Sequence, residues 1–118
     1  MNPEEIRTFC LGLSDTTEDF PFGPENLVFR TGGKIYLILD LETADHCNVK
    51  CDPEKAIEYR EEFPADVMPG YHMNKKHWNT IRLNGKLPRH LIENMIRDSH
   101  ELVAAKSSPR KSKPPSIK

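Results

Sequence analysis

The chain has 118 residues, 36% of them apolar and 30% charged, with a formal net charge of -1. That is room for one domain with a small core, and no apolar run approaches the ~20 residues that a membrane span needs. The near-neutral total hides a division: residues 1–105 carry 12 basic and 18 acidic side chains, whereas residues 106–118 carry five basic residues and no acid.

An acidic body repels a polyanion over most of its surface, so a nucleic-acid contact needs a local basic patch, the tail, or both. The opening residues Met1-Asn2-Pro3-Glu4-Glu5 are polar and acidic, unlike a secretory signal. The three cysteines (Cys10, Cys47 and Cys51) are odd in number and sparse, which suits a reducing cytoplasm. A cytoplasmic monomer is the expectation.

Asn2 followed by Pro3 is a helix start, with Glu4 and Glu5 in the first turn where the helix dipole favours them. Ile6, Phe9, Cys10 and Leu13 then recur on one stripe, so a helix is expected over 3–13 with Cys10 as a core thiol. Residues 14–25 read as a turn-rich link in which Phe20 and Phe22 straddle Pro21. They serve either as aromatics laid on the core or as a pocket wall.

Residues 27–31 read as a strand, Gly32-Gly33 as a two-residue hairpin, and 34–41 as the return strand. The return strand is apolar on both faces at its middle, the mark of a central strand. A third short strand is expected over 47–51. There Cys47 and Cys51 would share a face but stand roughly 13 Å apart at 3.3 Å per residue, too far to share one zinc. Asp52-Pro53-Glu54 starts a second helix over 53–62, with Ala56, Ile57, Tyr59 and Arg60 as its weak apolar stripe. Phe63-Pro64 ends it.

Residues 65–74 should be irregular, with at most a further short strand before Trp78. Trp78 to Leu83 reads as another strand closed by Asn84-Gly85. Pro88 opens the last helix, over 88–105, on the 3.6-residue period of Leu91, Ile92, Met95, Ile96, Ser99, Leu102 and Val103. The tail 106–118 has little apolar surface to bury and is expected to be disordered. The order α-β-β-β-α-β-α implies a two-layer α+β domain, an antiparallel sheet with helices packed on one face.

The stretch from Met68 to Leu83 concentrates the unusual residues, including Trp78, the single tryptophan. Three readings compete for it. It could be structural, with Tyr71, Met73 and Trp78 buried and Asn74 and Asn79 fixing turns. It could contact nucleic acid, with Lys75 and Lys76 on phosphates, Asn74 and Asn79 on phosphates or base edges, and His72, His77, Tyr71 and Trp78 as stacking rings. Lys34, Arg82, Lys86 and Arg89 would then extend the patch.

The third reading is a catalytic or metal site, and the pattern offers little for it. His72 and His77 are not at a helix-face spacing, and no cysteine or carboxylate adjoins them to complete a ligand set. No nucleophile motif or phosphate-cradling loop is present. A further possibility is a small-ligand or protein site in a pocket near Phe22 and Trp78.

The run Pro69-Gly70-Tyr71-His72-Met73-Asn74-Lys75-Lys76-His77-Trp78-Asn79-Thr80 resembles the signature of the MmcQ/YjbR family. Phe20-Pro21-Phe22-Gly23, Lys50-Cys51-Asp52-Pro53-Glu54 and the helix after Asn84-Gly85 agree with it, so the resemblance spans roughly residues 2–105. It implies a CyaY-like, double-wing α+β fold and a predicted DNA-binding role, with no enzyme activity, metal or cofactor. One wing would be Thr31-Gly32-Gly33-Lys34, and Asn74, Lys75, Lys76, His77 and Trp78 would lie near the other. The alternative is a chaperone-like module that binds a protein or small ligand. Fold alone does not decide between them.

Overall fold

The computed structural model describes residues 1–70 and 73–107. Its elements run α1 (Pro3–Leu11), β1 (Thr16–Asp19), β2 (Asn26–Thr31), β3 (Lys34–Asp40), β4 (His46–Lys50), α2 (Pro53–Glu62), β5 (Val67–Pro69), β6 (Trp78–Arg82) and α3 (Arg89–Ser107). The six strands form one antiparallel sheet in the order β1-β2-β3-β4-β6-β5. This is the expected α+β architecture with β1 added and with β5 as the further short strand allowed before Trp78; both are edges. The last helix, expected to end at residue 105, continues through Ser107. Residues 108–118 lie outside the described residues.

The helix starts are those the local chemistry dictates. The Asn2 side chain accepts from the Glu5 N–H at 2.8 Å, and Glu5 Oε1 accepts from the Asn2 N–H at 2.9 Å, a closed capping box. Asp52 caps α2 with Pro53 at the first helical position. Gly32 and Gly33 turn β2 into β3 at φ +58° and +80°. Positive φ at both central residues is the primed turn that suits strand twist and admits glycine most readily.

All three helices pack on one face of the sheet. Ile6 and Cys10 of α1, and Ile92, Met95, Ile96 and Val103 of α3, join Leu27, Phe29, Leu37, Leu39, Cys47, Val49, Val67 and Ile81 in one buried cluster. Tyr59 and Phe63 of the α2 region pack at its margin. Ile57 does not join the stripe expected of it and is 51% exposed. Burial in this cluster pushes the Cys10 thiol up to about 12, and raises that of Cys47 still more strongly.

The alternation along β3 is interrupted. Phe29 pairs with Leu37 but Arg30 pairs with Ile35, so Tyr36 is the extra residue of a β-bulge. Tyr36 turns into the core, where its hydroxyl meets Thr16 Oγ1 at 3.0 Å. Ile35 is thereby displaced to the opposite face, beside Ile38.

The bulge also parts β3 from β4, whose pairing stops at Leu37–Val49. Ser99 of α3 fills the gap. Its hydroxyl donates to the Tyr36 carbonyl at 2.6 Å and accepts from the Lys50 N–H at 2.8 Å. Two backbone groups that the ladder leaves open are thus satisfied from the helix layer.

Candidate functional site

Among the described residues, no helix covers the second face of the sheet. Strand register fixes which residues it presents. Val28 pairs with Ile38, Ile38 with Asn48, Asn48 with Thr80, and Thr80 with Met68. Ile35, Lys50, Trp78, His46 and Arg82 share this side by the same alternation. A cavity of about 650 Å³ lies over it, with Ile35 and Ile38 on its floor and Phe22, Met73 and Trp78 among its walls. A second hollow of about 280 Å³ adjoins it over Met68, Thr80, His46 and Arg82.

The loop Phe20-Pro21-Phe22 straddles the sheet. Phe22, 59% exposed, stands over the open-face cavity, whereas Phe20, 51% exposed, borders a groove on the α1 side with Leu39 and Leu41. Neither ring is laid on the core, and each borders a hollow, as the pocket-wall reading expects. The pocket residues Asp40, His46, Asn26 and Asn48 carried no sequence motif. The legible signal was the apolar residue on each face of β3.

The signature stretch divides into two groups. Asn79 is 1% exposed: it accepts from Arg60 Nε at 2.7 Å and donates to the Ala56 carbonyl at 3.3 Å, tying β6 to α2. That burial removes Asn79 from any surface contact, correcting its place among the candidate nucleic-acid residues. Asn74 shapes the loop: its side chain accepts from the Lys76 N–H at 3.0 Å, and its carbonyl accepts from the N–H groups of His77 and Trp78. Arg60 also donates to the Lys75 carbonyl. Gly70 has no room for a side chain, since a Cβ there would stand 2.7 Å from that of Trp78 and 3.0 Å from its carbonyl oxygen.

The second group faces outward. Lys75 and Lys76 are exposed, and Trp78 and Met73 wall the cavity. His77 is half-buried, with its carbonyl accepting from the Cys51 N–H at 2.7 Å. His72 and Tyr71 lie outside the described residues.

Charge is sorted along the strands. The β2–β3 turn and the loop between β5 and β6 emerge at the same end of the sheet, given the register of β3 on β4 and of β4 on β6. Lys34, Lys75 and Lys76 are exposed there, with Lys50 half-buried among them. Burial lowers the Lys50 ammonium below its ordinary value, and the charges of Lys106 and Lys34 lower it further. Arg82 and Lys86 stand at the opposite end and do not join this group.

That opposite end is mixed in charge but richer in acids, with Arg82 paired to His46 across β4 and β6. Glu25, Asp40 and Glu42 border the cavity there. His46 sits between carboxylates, with Nε2 at 3.2 Å from Asp40 and Nδ1 at 2.9 Å from Asp45. Thr43 Oγ1 donates within the same knot, 2.9 Å from Asp40 and 2.7 Å from Asp45. Among the described residues no cluster of His, Cys, Asp or Glu has the arrangement of a metal site, and no helix is long and apolar enough to cross a membrane.

Known proteins resemble this chain in sequence and in fold. The YjbR family model matches residues 11–102. The Escherichia coli protein YbdF is 37% identical over 101 residues, covering 85% of this chain and 82% of its own. A crystal structure of a Deinococcus radiodurans protein with the DUF419 domain superposes with a TM-score of 0.86 at 33% identity, over 99% of this chain and 92% of that one. A crystal structure from Pseudomonas syringae gives 0.72 at 29% identity, over 87% and 99%. By sequence and by fold, the chain belongs to the YjbR family.

Proposed function

We propose that this protein is a non-catalytic binding module that seats an apolar portion of a ligand or protein partner on the open face of its sheet. The observation that carries this reading is the cavity of about 650 Å³ between Phe22 and Trp78, floored by Ile35 and Ile38. Apolar side chains left on the uncovered side of a sheet gain from any partner that removes them from water. The aromatic walls are flat and stiff and present area at little cost in side-chain entropy.

Trp78, the single tryptophan, is a built-in reporter. Titration with the neutral dye Nile red should quench Trp78 emission and raise dye emission. Phe22→Ser should weaken uptake about tenfold or more, since a buried phenyl ring contributes ~2 kcal/mol. Phe22 is exposed, so its loss should leave folding stability within about 0.5 kcal/mol. Uptake that Phe22→Ser leaves unchanged would move the ligand elsewhere, and no uptake would end this reading.

A second reading is DNA binding through the basic end, favoured by the two loop tips that emerge together with Lys34, Lys75 and Lys76 exposed. Duplex DNA binding followed across a salt series tests it. If both lysines touch phosphate, Lys75→Ala with Lys76→Ala should flatten the salt slope by about 2. An unchanged slope would remove them from such an interface.

A further inference from the structure

The open face is polarised as well as apolar, and the two properties together narrow its occupant. Acids border one end of the cavity: Glu25 and Glu42 are exposed, and Asp40 is half-buried beside His46. The floor between the two charged ends is Ile35 and Ile38, and the amide side chains of Asn26 and Asn48 line the same space. Asn48 Oδ1 accepts from Thr80 Oγ1 at 2.6 Å, which holds the side-chain amide in place.

Resting on the cavity reading above, we infer that the occupant is a peptide segment with apolar side chains and an arginine or lysine at one end. Its apolar residues lie between Phe22 and Trp78, and its basic residue reaches Glu25, Glu42 and Asp40. Peptide carbonyls meet the side-chain amides of the floor. The carboxylates outnumber Arg82, the cation paired with His46 on this face, so a polyanion is disfavoured here, and an uncharged apolar ligand leaves Glu25 and Glu42 unmatched. Charge complementarity of this kind sets orientation and partner choice more than raw affinity. Exposed pairs contribute modestly, so the charge preference is a matter of a few-fold for each.

The experiment uses the full chain and Trp78 emission, with three synthetic peptides that share one Leu- and Phe-containing core. The first ends in two arginines, the second in two glutamines, the third in two glutamates. The arginine peptide should bind about fivefold more tightly than the glutamine peptide, and the glutamate peptide more weakly than either. That advantage should shrink in 0.5 M salt.

It should also disappear in the double variant Glu25→Gln with Glu42→Gln. Both positions are exposed, and circular dichroism checks that folding is intact. Equal binding of the three peptides, or a preference for glutamate, overturns the inference and leaves the cavity reading standing. Nile red uptake with no peptide binding does the same. Absence of both removes the cavity reading along with the inference. An arginine preference that survives in the double variant overturns the placement of the basic residue at this end.

Discussion

The two faces of the sheet satisfy their polar groups over very different chain distances. On the covered face, the bonds of Ser99 join residues 63 and 49 positions apart, and those of Asn79 join residues 23 and 19 apart. At the acidic rim of the open face, Asp40, Thr43, Asp45 and His46 bond one another and the Glu42 backbone within one to six positions. Thr80 to Asn48, 32 positions apart, and Arg30 to Asp19, 11 apart, are open-face exceptions away from that rim. The covered face therefore fixes the fold, because its polar bonds exist only when distant elements are docked. The rim is organised locally, so its chemistry can vary while the fold stays the same.

The contrast is sharpest at Ser99, which should give the largest stability effect. Ser99 is fully buried, and Ser99→Ala leaves the Tyr36 carbonyl and the Lys50 N–H without their partner. A buried polar group deprived of its bond costs ~1–3 kcal/mol, so the pair should cost about 3 kcal/mol in urea unfolding. Amide exchange at Lys50 should accelerate in step. A loss below about 0.5 kcal/mol would mean that β3 and β4 close their own gap, and the covered face would lose its claim to hold the bulge.

Much of the fold was legible because most elements announce themselves locally. Asn2-Pro3 and Asp52-Pro53 are self-sufficient helix starts, and Gly32-Gly33 is a self-sufficient turn. The strand that was missed, β1, and the one that was only allowed for, β5, are both edges. β1 is Thr-Thr-Glu-Asp, polar throughout, and takes its strand geometry from pairing with β2 rather than from its own residues. β5 is three residues long and ends in a proline.

The bulge was invisible for another reason. Ile35, Tyr36, Leu37 and Ile38 are all apolar, so a slip of one position leaves the pattern equally plausible. The candidate site was half legible. Trp78 and Phe22 stand out by composition. Asp40 and His46 reach the same cavity from the ends of β3 and β4, which only the register brings together. Asn79 showed the opposite error: a polar residue in a motif looked like a contact, and the structure buries it against α2.

The smallest expected effect lies on the rim and tests whether that region is as local as its bonds suggest. The Thr43 hydroxyl, and after it His46, hold the Asp45 carboxyl below its ordinary value of 3.8. A carboxyl depressed in the folded state stabilises above its unfolded value, and that contribution is lost as pH falls through the folded one. The window therefore lies below about pH 4. Carbon-13 titration of the Asp45 carboxyl should place its midpoint under 3.8, and Thr43→Val should bring it back towards that value.

The carboxyl is exposed to solvent, so salt should reduce the shift and the acid limb of thermal stability should move little. If the rim is local, Thr43→Val will leave unchanged the amides that Ser99→Ala loosens, that of Lys50 first among them. A Thr43→Val variant that also loosened those amides would join the two faces into one cooperative unit, and the separation between fold-holding and ligand-facing residues would fail.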